Sequence, residues 1–68
     1  MTELRGAVAV VTGAASGLGF GLSACLVAAG ARVAMIDVEA DALVTAVASI
    51  DAPDATLPIV ADVAVART

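Results

Sequence analysis

From Ala7 to Ala31 no side chain carries a charge, a run of 25 residues interrupted near its middle by Thr12, Gly13, Ser16, Gly17, Gly19 and Gly21. Roughly 20 apolar residues can span a bilayer, so a membrane helix is the first rival reading. Gly13, Gly17 and Gly21 at four-residue spacing even fit a membrane helix-packing pattern. A secretory leader is the second rival, with Arg5 ahead of the run and Ala29-Gly30-Ala31 in the form of a cleavage site. Both require a smooth apolar centre and a positive flank. Here glycines and hydroxyls break the centre, and Glu3 offsets Arg5. The same residues divide without strain into a strand, a tight turn and a helix, so no membrane partner is expected.

Ala7-Val8-Ala9-Val10-Val11 is apolar and β-branched without polar alternation, the pattern of a parallel strand buried on both faces. A glycine turn follows. Over residues 17–29, Leu18, Leu22, Leu26 and Ala29 recur every three or four positions, and Gly30 stands where a helix C-terminal glycine belongs. Cys25 reads as a small core residue, and Phe20, Val27 and Ala28 as an outward apolar surface. Residues 32–37 form a second predicted strand that closes on Asp37. A second helix over 39–50 places Leu43, Val47 and Ile50 on one face and Glu39 and Asp41 at its positive end. Asp51-Ala-Pro-Asp54 is a turn cluster, and residues 56–60 form a third strand that Pro58 confines to a sheet edge. Strands joined through helices lie parallel with right-handed crossovers. The expected fold class is therefore α/β: a Rossmann-type βαβαβ half of a doubly wound parallel sheet, with residues 1–68 as one segment of a single domain.

Composition narrows the chemistry. The sequence contains no His, Lys, Tyr, Trp, Asn or Gln, which removes imidazole metal ligands, Ser-His triads, lysine Schiff bases and aromatic base-stacking platforms. No metal site and no catalytic residue is expected. Seven acids against three arginines give a net charge of −4, the wrong sign for a nucleic-acid partner. A single cysteine allows no internal disulfide, which suits a reducing, cytoplasmic setting.

What remains is the turn Thr12-Gly13-Ala14-Ala15-Ser16-Gly17-Leu18-Gly19 between the first strand and the first helix. Gly13 permits a sharp exit from the strand. Gly17 and Gly19, without Cβ atoms, would let a pyrophosphate approach main-chain amides at the positive end of the helix dipole. No lysine follows the glycines, so a P-loop is excluded. The register Gly19-x-Gly21-x-x-Ala24 starts eight residues past Val11, inside the helix, and lacks the strand that must directly precede such a turn.

The spacing Thr-Gly-x-x-x-Gly-x-Gly resembles the short-chain dehydrogenase/reductase family, and the resemblance continues through Asp37 at the end of the second strand and Asp62-Val63 after the third. The Ala-Ala-Ser-Gly-Leu-Gly variant is similar to the subgroup of 3-hydroxyacyl-CoA and hydroxysteroid dehydrogenases. The resemblance implies a three-layer α/β/α domain at full length, a nicotinamide dinucleotide cofactor, an alcohol or carbonyl substrate and a homo-oligomer. It implies that Ser16 and the Leu18 amide touch the cofactor's phosphates or ribose, and that Asp62 and Val63 hold the adenine. Asp37 would accept hydrogen bonds from the adenosine ribose hydroxyls and repel a 2′-phosphate, which favours NAD over NADP. Family members often supply Arg or Lys for NADP where this chain has Ser16 and Val38. Arg32 lies about 16 Å from Asp37 along the strand and cannot substitute. The family's catalytic Ser, Tyr, Lys and Asn lie beyond the matching region, and three of those residue types are absent. As it stands, the chain is expected to bind a dinucleotide without turning over a substrate.

Overall fold

The computed structural model describes residues 5–62. Its elements are β1 (Val8–Thr12), α1 (Gly17–Ala28), β2 (Arg32–Asp37), α2 (Ala40–Ile50) and β3 (Thr56–Val60). The strands form a parallel sheet in the order β1-β2-β3. Val10 pairs with Ala34, and Ala34 with Leu57, so residues aligned across the sheet share a face. Pro58 lies in β3, which among the described residues pairs with β2 alone, so the edge position expected from the proline is the one it occupies there.

Val11, Val33 and Met35 point to one face of the sheet and are buried there with Ala14, Leu43 and Ala46. Phe20, Leu26 and Val27 of α1 and Val47 and Ile50 of α2 pack against the same cluster, so both helices cover one face. Two right-handed crossovers that step in the same direction require this. The opposite face is bare among the described residues, with Val8 75% and Val10 64% exposed. The expectation that β1 is buried on both faces is thus corrected to one face.

Helix α1 also differs from its sequence reading. Gly19 and Ser23 are its buried residues, whereas Leu18 and Leu22 are exposed. Cys25 is exposed rather than in the core, and Phe20 and Val27 face inward rather than outward. The buried stripe is turned by one residue, about 100°, from the leucine stripe. The reason is steric: a Cβ on Gly19 would strike the Gly13 carbonyl oxygen and come within 2.7 Å of its carbon. Only a glycine lets α1 approach the turn this closely, and the neighbouring Ser23 keeps its hydroxyl satisfied by donating to the Gly19 carbonyl at 2.9 Å. The helix then ends in two reverse bonds, Gly30 N–H to Val27 O and Ala31 N–H to Leu26 O, each 3.0 Å. In α2 the expected face holds: Leu43 is buried, and Val47 and Ile50 pack beside it.

Two substitutions test these contacts. Gly19→Ala should destabilise the chain by about 3 kcal/mol in chemical unfolding, because backbone must move to admit the methyl group. Gly17→Ala, whose new Cβ meets nothing within 4 Å, should leave the midpoint unchanged or slightly raised. Asp51 ends α2 at φ 55°, where a residue with a Cβ is strained, and Asp51→Gly should add about 0.5–1 kcal/mol by the same measurement.

Candidate functional site

Because the strands are parallel, Thr12, Asp37 and Val60 end at one edge of the sheet. The chain leaves β1 there through Gly13, at φ 64°. The Gly13 carbonyl accepts the Ser16 amide at 3.1 Å and the Ser16 hydroxyl at 2.7 Å, which closes the turn. Ser16 is the N-cap residue of α1 by position, but its hydroxyl is spent on the turn and caps no helical amide. The first helical bond runs from Phe20 N–H to Ser16 O at 2.7 Å. The amides of Gly17, Leu18 and Gly19 lie ahead of it, at the positive end of the helix. Gly17 and Leu18 are exposed. Gly19 is buried, and its missing Cβ is what allows the close contact with Gly13.

Asp37 closes β2 and is tied on every side. Its Oδ2 accepts the Ala15 amide at 2.9 Å and its Oδ1 accepts the Glu39 amide at 3.0 Å. Its carbonyl accepts the Ala61 amide, and the preceding Ile36 carbonyl accepts Ala14, both at 3.0 Å. The Glu39 amide and then the Ala15 amide hold the Asp37 carboxyl below the usual carboxylate range; burial opposes them to a smaller extent, and the Val38 amide adds the weakest contribution, in the lowering direction. Asp37 does not cap α2 itself, whose N-cap residue is Glu39.

Gly13, Asp37 and Asp62 come together as the walls of a cleft of about 110 Å³, with Thr12, Val38 and Ala61 between them. No cation lines it. Ser16, Gly17, Leu18 and Gly19 follow in the adjoining turn and first turn of α1. Val63 lies outside the described residues. Sequence reasoning missed Ala15, whose working group is a main-chain N–H that every residue but proline carries. A larger cavity, about 270 Å³, opens at the other ends of the strands between Val8, Ala34 and Leu57, beside Arg32 and Asp54. It has neither a glycine turn nor a helix N-terminus, and it belongs to the bare sheet face. No helix among the described residues is long and apolar enough to cross a membrane.

A sequence model of the short chain dehydrogenase family matches residues 7–68. The chain is similar to 1-deoxy-11-beta-hydroxypentalenate dehydrogenase of Streptomyces avermitilis, with 52% identity over 61 residues that cover 88% of this chain and 23% of that protein. LigD from Sphingobium sp. strain SYK-6, solved in its apo form, matches with a TM-score of 0.82 and 37% identity over 90% of this chain and 26% of its own. The 3-ketoacyl-(acyl-carrier-protein) reductase of Brucella melitensis, solved with NADH, matches with a TM-score of 0.82 and 34% identity over 90% of this chain and 24% of its own. The chain thus spans about a quarter of the length of these relatives. The family match takes in β1, the glycine turn and Asp37, the same elements that build the cleft, and the chain belongs to the short-chain dehydrogenase family.

Proposed function

We propose that residues 1–68 form the NAD-binding segment of a short-chain dehydrogenase that moves hydride between an alcohol or carbonyl substrate and NAD(H). The observation that carries this reading is the Asp37 carboxylate at the tip of β2, anchored by two amides in the wall of a cleft that no cation lines among the described residues. A carboxylate accepts about four hydrogen bonds in all, so two remain for the ribose hydroxyls. A 2′-phosphate in the same place would meet the Asp37 and Asp62 carboxylates, and no basic side chain among the described residues lines the cleft. The exposed Gly17 and Leu18 amides, together with Ser16, suit the pyrophosphate, and the open space beside Gly17 leaves room for it. Asp62, with Val63 after it, is assigned to the adenine. The reductase solved with NADH accords with the choice of cofactor.

Bound NAD supplies the hydride acceptor, and these residues supply its grip and orientation. Transfer itself needs the acid/base Tyr and Lys of the family, and this sequence contains neither. Within the 68 residues the reading is therefore binding without turnover, in a reducing compartment that the cytoplasm provides. A relative named as a hydroxypentalenate dehydrogenase suits an alcohol substrate for the whole protein.

Calorimetric titration of the chain with NAD and NADP tests the assignment. NAD should bind at least tenfold more tightly, a difference of ~1.4 kcal/mol. Asp37→Ala should erase most of that ratio, and Val38→Arg, which places a cation at the cleft wall, should narrow it about tenfold. Equal affinities for both cofactors in the parent chain would overturn the NAD assignment.

A further inference from the structure

The contacts of Asp37 carry a second consequence, which rests on the NAD reading above. Its two carboxylate oxygens hold amides from two different segments: Ala15 in the glycine turn and Glu39 ahead of α2. Ala15 is 22 residues away in sequence, so this bond joins the phosphate turn to the ribose-binding tip of β2. Its neighbour, Ala14 N–H to Ile36 O, runs parallel to it between main-chain groups. The Asp37 side chain thus extends the ladder between turn and strand by one bond that only a correctly placed acceptor can make.

We propose that the Ala15 main-chain amide is a positioning group for Asp37: it fixes the carboxylate for the ribose and in return latches the glycine turn, so that turn order and NAD affinity depend on one ionisation. A carboxylate already held by two amides has little rotamer freedom left to lose when ribose arrives. Protonating Asp37 withdraws acceptor capacity from Ala15 and from the ribose together. Among the described residues the charged groups nearest it are acids: Asp62 in the wall of the same cleft, Glu39 two residues on, and Asp41 in the first turn of α2. The Glu39 and Ala15 amides are the main groups that favour its ionised form. The sign follows from linkage. A carboxyl whose folded-state value lies below its ordinary 3.8 stabilises the fold fully above that pH and ceases to do so as pH falls through the lowered value.

The test is nuclear magnetic resonance on the isotopically labelled 68-residue chain without cofactor, paired with NAD titrations over the same range, from about pH 6 to about pH 2.5. The Ala15 amide shift should follow the Asp37 carboxyl carbon with a common midpoint below 3.8, and Kd for NAD should rise across that midpoint about tenfold or more beyond the rise seen with the Asp37→Asn chain, which reports the ligand's own adenine protonation. At neutral pH, Asp37→Asn should raise the Ala15 amide exchange rate about tenfold and weaken NAD, while Gly30 and Ala31 amides at the far end of α1 stay protected. An Ala15 amide indifferent both to the Asp37 titration and to Asp37→Asn overturns the latch, whatever NAD does. An Ala15 amide that titrates while Kd stays constant overturns the coupling and leaves a structural bond only. An Ala15 amide that titrates in a chain that binds NAD at no pH sinks the cofactor reading instead.

Discussion

The approach of Gly19 to the Gly13 carbonyl sets the geometry on which the other contacts depend. With no Cβ between them, the first turn of α1 lies directly against the loop that leaves β1. This seats the helix on the face where Val11, Val33 and Met35 are buried. It also leaves Gly17 and Leu18 exposed beside the strand ends instead of in the core. Had the helix been held off by even one methyl group, the turn would have to open. The Ser16 bonds to Gly13 and the Ala15 bond to Asp37 could not then both keep their lengths. Close packing at this point and exposure of the turn beside the strand ends are one arrangement.

The strands, the turn and the order of elements were legible in the sequence because each has a local cause. β-Branched runs mark the strands, Pro58 marks the edge, and Asp37 marks the end of β2. Helix boundaries agree to within one residue, at Ala28 against Ala29 and at Ala40 against Glu39. The inward face of α1 was not legible. The helix carries no charge and is apolar on every side, so hydrophobic periodicity has nothing to contrast with and the leucines mislead. Tertiary contact decides instead, and it selects the smallest residues, Gly19 and Ser23. In α2, where Asp41, Thr45 and Ser49 alternate with Leu43, Ala46 and Val47, the pattern and the structure agree.

The site was half legible for the same reason. Side chains with a chemical signature, Asp37 and Asp62, arrive at one cleft as expected. Groups that act through the main chain do not announce themselves. Nothing in an alanine at position 15 signals that its N–H will meet a carboxylate 22 residues away. Among the described residues the cleft wall carries two acids and no basic side chain, and the main-chain amides of Ala15 and Glu39 hold the Asp37 carboxylate in place there.

β2 is the central strand, hydrogen-bonded to β1 on one side and β3 on the other, and each βαβ unit includes it. Neither unit can be completed until β2 is ordered, whereas each is built from segments adjacent in the chain. Val33 and Met35 are therefore held in common by both units, so a substitution that disturbs either one loosens two crossovers at once, whereas the exposed leucines of α1 belong to one unit alone.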